Sequence, residues 1–369
     1  MQIMNEYFRA NASMVYIMTN NEVMNQIISF YRDMNGMLTF VDSYPTYGRG
    51  TGTKEVSTAT ANDGVDPLAS QGALTLSRDG RFLLAVNAGS HSISSFIITD
   101  SGAPVLVDVK PSGGTQPNTV DVFGNLVYVA NVGNVANNFA SNITGFRIDN
   151  NGRLTPIPGS THSLSTFNAQ PAQVLFTRDG SKILVSELTS NHLSVFHVNQ
   201  NGTVTEPIVN DSYGQGPLGA YFLSSGILLV TEADSNALSS YSMSTDGILH
   251  VISGSVPTGY KTACWVVTTR NERFAYITNT LSGTISTYLI DRNGALSVVR
   301  HITSTPPGTA PGLPMDVGVS KDGRHFYTLN GNQGTVSVFT IQDDGSLVRL
   351  QVAAWTNFPY LGSQGLAVL

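Results

Sequence analysis

Seven variants of one strand pattern run along the chain, and this repetition restricts the fold more than any other feature. In the fourth variant a polar turn, Asp179-Gly180-Ser181-Lys182, precedes the apolar segment Ile183-Leu184-Val185-Ser186-Glu187. A polar loop then leads to the alternating segment His192-Leu193-Ser194-Val195-Phe196. The variants recur about every fifty residues, which suits one four-stranded unit per repeat.

Each unit divides into four strands, which we call A to D. Strand A is short and apolar, as in Gly72-Ala73-Leu74-Thr75-Leu76, and a turn such as Ser77-Arg78-Asp79-Gly80 leads to strand B. Asp and Gly suit such turns because Asp bonds its own backbone and Gly tolerates positive φ. No stretch shows helical periodicity. The sequence therefore predicts an all-β, seven-bladed β-propeller with four antiparallel strands in each blade.

The two ends of the chain predict how the ring closes. The chain starts with strand B of blade one, and residues 362–369 resemble the strand A region 70–76. We expect the C-terminal strand to complete blade one, which would leave no free sheet edge. The whole chain, 1–369, is then a single domain with an N-terminal arm at 1–14. A loop inserted at 45–70 is expected to be either a lid or a solvated surface insertion.

Composition excludes several classes of protein. The net charge is −6 and only 12% of residues are charged, without a basic cluster, so nucleic acid is not an expected partner. Because Cys264 is the single cysteine, an intrachain disulfide is excluded. We interpret Cys264 as a small, buried apolar residue of the core. No signal peptide or membrane span is apparent, which favours a cytoplasmic protein acting on a small molecule, with secretion as the alternative. The sequence does not indicate the oligomeric state.

The candidate site lies on one face of the propeller. Strands alternate in direction, so the B-to-C and D-to-A connections share a face, called the top. Strand B ends there in a ring of polar residues, Asn20, Asn87, Asn131, Glu187, Glu232, Asn279 and Asn330. Residues at the starts of strand A and in the connections add Gln71, Asn118, Gln173, Lys261, Asp316 and His192 as candidates for binding a substrate.

Glu187 and Glu232 stand out because the other five ring positions are Asn. Asparagine readily caps a loop at a strand end, whereas Glu does so poorly. If these two carboxylates in adjacent blades lie close together, their repulsion and partial burial would raise the pKa of one of them and make it a general base or acid. The alternative is structural, with each Glu capping a loop or pairing with Lys261.

Two repeated patterns point to a family. Asp79-Gly80-Arg81-Phe82-Leu83-Leu84-Ala85-Val86-Asn87 and Gly283-Thr284-Ile285-Ser286-Thr287-Tyr288 resemble the lactonase family of seven-bladed propellers. That family includes propeller-type bacterial 6-phosphogluconolactonases and fungal carboxy-muconate cyclases, and the resemblance covers nearly the whole chain. It implies hydrolysis or formation of a small lactone at the channel mouth, with Glu187 or Glu232 in the role of a family Glu. The family's arginines have no clear counterpart on the top face, which favours a less charged substrate.

Three hypotheses follow. In the first, Glu187 or Glu232 activates water and Asn or Gln side chains stabilise the oxyanion, with no metal or other cofactor. In the second, Glu and Asn ligands hold a divalent cation such as Ca²⁺ or Mg²⁺. In the third, the propeller is a binding or scaffold protein without catalysis.

Overall fold

The computed structural model describes residues 13–56, 64–356 and 358–369, and it arranges their strands in seven antiparallel sheets. Each sheet has the strand order A-B-C-D, and blade three divides its strand D into two short pieces that both pair with strand C. Helical structure in the described residues amounts to the 3₁₀ turns Ala88–Ser90, Val135–Asn137 and Thr280–Ser282. The predicted seven-bladed β-propeller is confirmed.

Every blade follows the order A to D from the channel outward. Blade one contains Leu366–Val368, Met14–Met18, Gln26–Arg32 and Leu38–Pro45. Blade two contains Leu74–Leu76, Phe82–Asn87, Ser92–Ile98 and Pro104–Pro111. Blade three contains Pro117–Phe123, Leu126–Asn131, Asn142–Ile148, Leu154–Pro156 and His162–Ser163. Blade four contains Pro171–Phe176, Lys182–Glu187, His192–His197 and Ile208–Asp211. Blade five contains Pro217–Phe222, Leu228–Glu232, Ala237–Met243 and Leu249–Pro257. Blade six contains Ala263–Thr268, Phe274–Asn279, Thr284–Ile290 and Leu296–Thr303. Blade seven contains Pro314–Val319, His325–Asn330, Thr335–Ile341 and Leu347–Ala354.

The C-terminal strand closes the ring as the sequence predicts. Val368 pairs with Val15 and Leu366 pairs with Ile17, so blade one takes its strands from both ends of the chain. This pairing covers the inner edge of Met14–Met18, which would otherwise expose unpaired backbone groups. Most of the predicted N-terminal arm, residues 1–12, lies outside the described residues.

Burial falls from the inner strands to the outermost one. Strand B is buried throughout in several blades, as in Phe82–Asn87 and Phe274–Asn279, whereas strand D of blade six, Leu296–Thr303, is mostly exposed. Strand B lies between two partners and packs against the neighbouring blades on both faces. The Tyr128 and Phe176 rings, from blades three and four, meet edge to face at 6.0 Å. The core is therefore built largely from contacts between blades.

A repeated hydrogen bond joins each blade to the next. The C-to-D turn of every blade ends in a glycine with positive φ, where a residue with a Cβ would be strained. The carbonyl oxygen of that glycine accepts a hydrogen bond from a buried or partly buried side chain of the preceding blade. The seven pairs are Tyr16–Gly102, Ser95–Gly152, Tyr128–Gly202, Asn210–Gly247, Ser240–Gly294, Tyr276–Gly345 and Tyr327–Gly36.

These bonds correct the alignment of blade one. Tyr16 occupies the place that Tyr128 and Tyr276 occupy three residues before Asn131 and Asn279. The residue of blade one that matches these asparagines is therefore Thr19, and the prediction that Asn20 does so was wrong by one position. Asn20 instead adopts a left-handed conformation, with φ of 50°, in the following loop.

Replacing Tyr128 with Phe tests the contribution of this bond. The Tyr128 hydroxyl donates to the Gly202 oxygen at 2.8 Å in a buried site, so its removal leaves a carbonyl without this partner. We expect the free energy of unfolding to fall by ~1–3 kcal/mol, measured by urea denaturation. The control is Tyr360→Phe, because the Tyr360 side chain is 68% exposed. Equal stabilities of Y128F and wild type would contradict this account.

Candidate functional site

The end of the inserted loop fills the top of the central channel. We call residues 68–71 the plug. Leu68, Ala69 and Ser70 are buried, and the backbone of the plug is held by side chains at the starts of several A strands. Asn118 donates to the Leu68 oxygen at 3.1 Å, and Trp265 donates through Nε1 to the Ser70 oxygen at 3.0 Å. The insertion therefore covers the channel on the predicted face.

Gln71 fixes the plug across the width of the channel. Its side-chain amide exchanges two hydrogen bonds of 3.0 Å with the backbone of Val266 in blade six. Its backbone N–H donates to the Ala172 oxygen of blade four at 2.9 Å. Gln364 of blade one also binds the plug, through Leu68 N and Ser70 O. The plug is thus an integral part of the inner ring, not a solvated surface loop; residues 57–63 of the insertion lie outside the described residues.

A cavity of about 370 Å³ lies in the channel against the plug. Three residues predicted for substrate binding line it together, Gln71, Gln173 and Asp316. Asp121 and Tyr221 also line it, and sequence reasoning missed both. The signal for Asp121 was a carboxylate within the otherwise apolar run Val120-Asp121-Val122. The cavity combines convergent polar groups with apolar walls, as small-molecule sites do.

Asp316 is the most perturbed carboxyl group of this cavity. It lies at a β-bulge at the start of strand A of blade seven, with φ of 28°. Burial raises the pKa of Asp316 to about 8, and the negative charge of Asp66 acts in the same direction. The N–H of Gly365, which donates to Oδ2 at 2.6 Å, opposes this shift. Burial likewise raises the pKa of Asp121 to about 6. Both groups therefore titrate near neutral pH.

Gln173, on strand A of blade four, provides an oriented amide to the cavity that Asp316 lines from blade seven. Its Oε1 accepts a hydrogen bond of 2.6 Å from the backbone N–H of Ala220 in the next blade. Since a backbone N–H can only donate, this bond fixes which end of the amide is oxygen. The Nε2 group is then the donor that Gln173 offers to a ligand.

The polar ring at the ends of the B strands does not lie at the channel mouth, and this expectation is corrected. All six matching residues of blades two to seven are fully buried, and none of them lines the channel cavity. In five blades the side chain hydrogen-bonds to a serine seven residues later, on strand C. These pairs are Asn87–Ser94, Glu187–Ser194, Glu232–Ser239, Asn279–Ser286 and Asn330–Ser337. Asn131 makes the corresponding bond to Asn142.

The two glutamates have separate sets of partners. Glu232 accepts from Gly214 N at 3.0 Å, from Ser239 and from Ser255. Glu187 accepts from three serine hydroxyls, those of Ser165, Ser190 and Ser194. A carboxylate reaches these donors where an asparagine amide would be too short, which explains structurally why Glu occurs in these two blades. The expected pair of interacting carboxylates is therefore not formed.

The other predicted residues are dispersed. Asn118 is buried beneath the plug, Lys261 is exposed on a top connection, and His192 is partly buried at the top of blade four. Cys264 is buried, as expected for a small apolar core residue, and burial raises the pKa of its thiol. Among the described residues the structure groups no three His, Cys, Asp or Glu side chains as a metal site. The same residues include no helix long and apolar enough to cross a membrane.

Comparison with known proteins identifies the family. A sequence model described as "Lactonase, 7-bladed beta-propeller" matches residues 6–165, 132–268 and 265–359. The chain belongs to this family. The resemblance seen in the strand patterns is thereby confirmed over nearly the whole chain.

The relatives of this lactonase-family chain are distant. It is 23% identical over 278 residues to a 6-phosphogluconolactonase of Erwinia tasmaniensis, which covers 71% of this chain and 77% of the relative. A 6-phosphogluconolactonase of Serratia proteamaculans is also 23% identical, over 70% of this chain and 76% of the relative. The periplasmic gluconolactonase PpgL of Pseudomonas aeruginosa superposes with a TM-score of 0.73 at 16% identity, covering 97% of this chain and 99% of that one. That superposition confirms the fold.

The raised pKa of Asp316 makes a prediction about stability. The folded protein holds the Asp316 proton up to about pH 8, whereas in the unfolded chain this proton is lost near the ordinary value of 3.8. Wild type should therefore lose stability relative to Asp316→Asn as the pH rises between these values, with a constant difference above pH 8. Urea denaturation across this range measures the difference, and Asp100→Asn is the exposed control. A difference that does not change with pH would contradict the assignment.

Proposed function

We propose that this protein hydrolyses a small, uncharged lactone in the channel cavity, with Asp316 as the general base. The proposal rests on one observation: Asp316 and Gln173 line the same cavity of a lactonase-family propeller. Glu187 and Glu232 are set aside for this role because they are fully buried and hydrogen-bonded to strand C of their own blades and to the preceding connections.

The chemistry needs one proton transfer and one oxyanion donor. The Asp316 carboxylate takes a proton from water as the water oxygen attacks the lactone carbonyl carbon. The Nε2 group of Gln173 donates a hydrogen bond to the carbonyl oxygen, where negative charge develops. When the tetrahedral intermediate opens, the ring oxygen leaves and takes the proton from Asp316. The product is the open-chain hydroxy acid.

The charge of the cavity selects the class of lactone. Two carboxyl groups, Asp121 and Asp316, line it, and the described lining includes neither Lys nor Arg. A phosphorylated lactone would bring a further negative charge without a cationic partner, which desolvation makes unfavourable. Hydroxyl groups suit the amides and carboxyls of the wall. The preferred substrate is therefore an unphosphorylated sugar lactone, unlike the substrate in the names of the Erwinia and Serratia relatives.

The path into the cavity is from the lower face. The plug covers the top, whereas Leu76, Leu175 and Val319, at the lower ends of the A strands, line the cavity and are partly exposed. A substrate entering there would meet the apolar part of the wall first and the polar end with Asp316 last.

Asp316→Asn and Glu232→Gln together test the assignment. With glucono-δ-lactone as substrate and proton release as the assay, D316N should lose roughly 10²–10⁴-fold in kcat. E232Q should retain turnover. In wild type kcat/KM should rise with pH and level off above about pH 8, because the base acts when deprotonated. Unchanged turnover in D316N, or the loss of turnover in E232Q alone, would overturn the role of Asp316.

A non-catalytic binding function is the second candidate. The observation in its favour is the plug, because residues 68–71 occupy the top of the channel where the resemblance places the chemistry. Absence of turnover across a panel of neutral and phosphorylated lactones, with Ca²⁺ and Mg²⁺ present and after chelation, would support this alternative.

A further inference from the structure

Blade four carries a row of three titratable side chains across its top end. Glu187 on strand B pairs in register with His192 on strand C, and His192 pairs with Asp211 on strand D. The corresponding rows of blades two, three, five, six and seven have at most one such group. They are Asn87-Ser92-Pro111, Asn131-Asn142-Ser163, Glu232-Ala237-Pro257, Asn279-Thr284-Thr303 and Asn330-Thr335-Ala354. A departure from a repeated pattern marks a position where the scaffold alone does not decide the residue.

A serine from the preceding connection completes this row. The Ser165 Oγ lies 2.8 Å from Nδ1 of His192, and the opposite ring nitrogen, Nε2, lies 3.6 Å from Asp211 Oδ1. In the structure the Ser165 hydroxyl donates its single proton to Glu187 Oε2. Rotation about the Cβ–Oγ bond turns the same proton to Nδ1 of His192 when the ring proton is on Nε2, facing Asp211. The Asp211 side chain is 95% exposed and acts on the ring through its charge, because 3.6 Å is too long for a hydrogen bond. A hydroxyl next to a histidine with a carboxylate on the far side of its ring resembles the arrangement of an activated nucleophile.

Glu187 holds Ser165 in this position. Its Oε1 accepts from the Ser165 backbone N–H at 3.3 Å, and Oε2 contacts the Ser165 hydroxyl. Ser190 and Ser194 bind the same carboxylate at 2.7 and 2.5 Å and restrict its movement. Glu187 is fully buried, whereas Ser165 and His192 are partly exposed. A ligand on the top face therefore reaches the serine and the histidine but not the glutamate.

We infer that Ser165 is the nucleophile of a second site, which accepts acyl groups from small activated esters. Ser165 Oγ attacks the ester carbonyl carbon, and its proton passes to His192 Nδ1. The C–O bond to the alcohol then breaks, and the alcohol leaves with that proton. Water attacks the acyl-serine with His192 again taking a proton. The carboxylic acid is released, and the proton on His192 returns to Ser165.

The surface beside Ser165 indicates the kind of ester. Phe167, two residues further along the same connection, is 71% exposed. An aromatic ring in that position offers apolar contact area to an aryl or short alkyl group. The row also places two carboxylates, Glu187 and Asp211, around Ser165 and His192. An uncharged aryl ester therefore fits this surface better than an anionic one.

A fluorophosphonate probe tests the nucleophile on the full chain, because an activated serine oxygen attacks its phosphorus atom and displaces fluoride into solvent. We expect wild type to be modified at Ser165, located by peptide mass mapping. Ser165→Ala should remove this modification. His192→Gln should slow it by roughly 10²-fold or more, because Gln fills the space but takes no proton. Ser163→Ala is the matched control, because Ser163 is an exposed serine two residues before Ser165 and pairs with blade three, and it should leave the rate nearly unchanged.

Hydrolysis of p-nitrophenyl acetate gives the second readout, and it should fall in parallel with labelling in the same variants. Absence of label at Ser165 would overturn the inference, as would equal labelling rates in wild type and H192Q. Because the modified residue is identified by mass, this result does not depend on whether the channel hydrolyses lactones.

Discussion

The hydrogen bond between each blade and the turn glycine of the next is the constraint on which the rest of the structure depends. Each such glycine needs positive φ to present its carbonyl to the neighbouring blade, and each donor comes from a Tyr, Ser or Asn of that blade. Since the bond recurs at all seven joints, it sets how the blades lie against one another. The seventh, from Tyr327 to Gly36, joins the last blade to the first. The ring then holds the starts of the A strands at fixed places around the channel.

That inner ring decides where chemistry can take place. The polar groups that start the A strands are directed at the plug and at each other, as Gln71 with Val266 and Gln173 with Ala220 show. The polar groups that end the B strands are buried and hydrogen-bonded to strand C of their own blades or to the preceding connections, as Glu232 is to Ser239 and Gly214. A ligand in the channel therefore meets Asp316 and Gln173 and not the glutamates. Blade four connects its B-strand carboxylate to the partly exposed pair Ser165 and His192.

The repeat made the fold predictable from the sequence. The direction in which each side chain points could not be predicted in the same way. Strand number, blade boundaries and closure by the C-terminal strand follow from spacing and from the similarity of 362–369 to 70–76. The role of the polar ring could not be inferred from the sequence. A buried hydrogen bond between Asn and Ser and an exposed ring of ligands have the same sequence pattern. Ser165 lies in a connection outside the repeat, so its contact with Glu187 depends on the path of that loop. The perturbed Asp316 was among the candidates, but its burial depends on a bulge that the sequence does not mark.

A crystal structure with a lactam analogue of the sugar lactone tests the central claim most directly. The lactam keeps the ring and the carbonyl but resists hydrolysis. The account predicts that it binds in the channel cavity against the plug, with its carbonyl oxygen at Gln173 Nε2 and its carbonyl carbon facing Asp316. Binding on the top face outside the plug, or an empty cavity at saturating analogue, would contradict it.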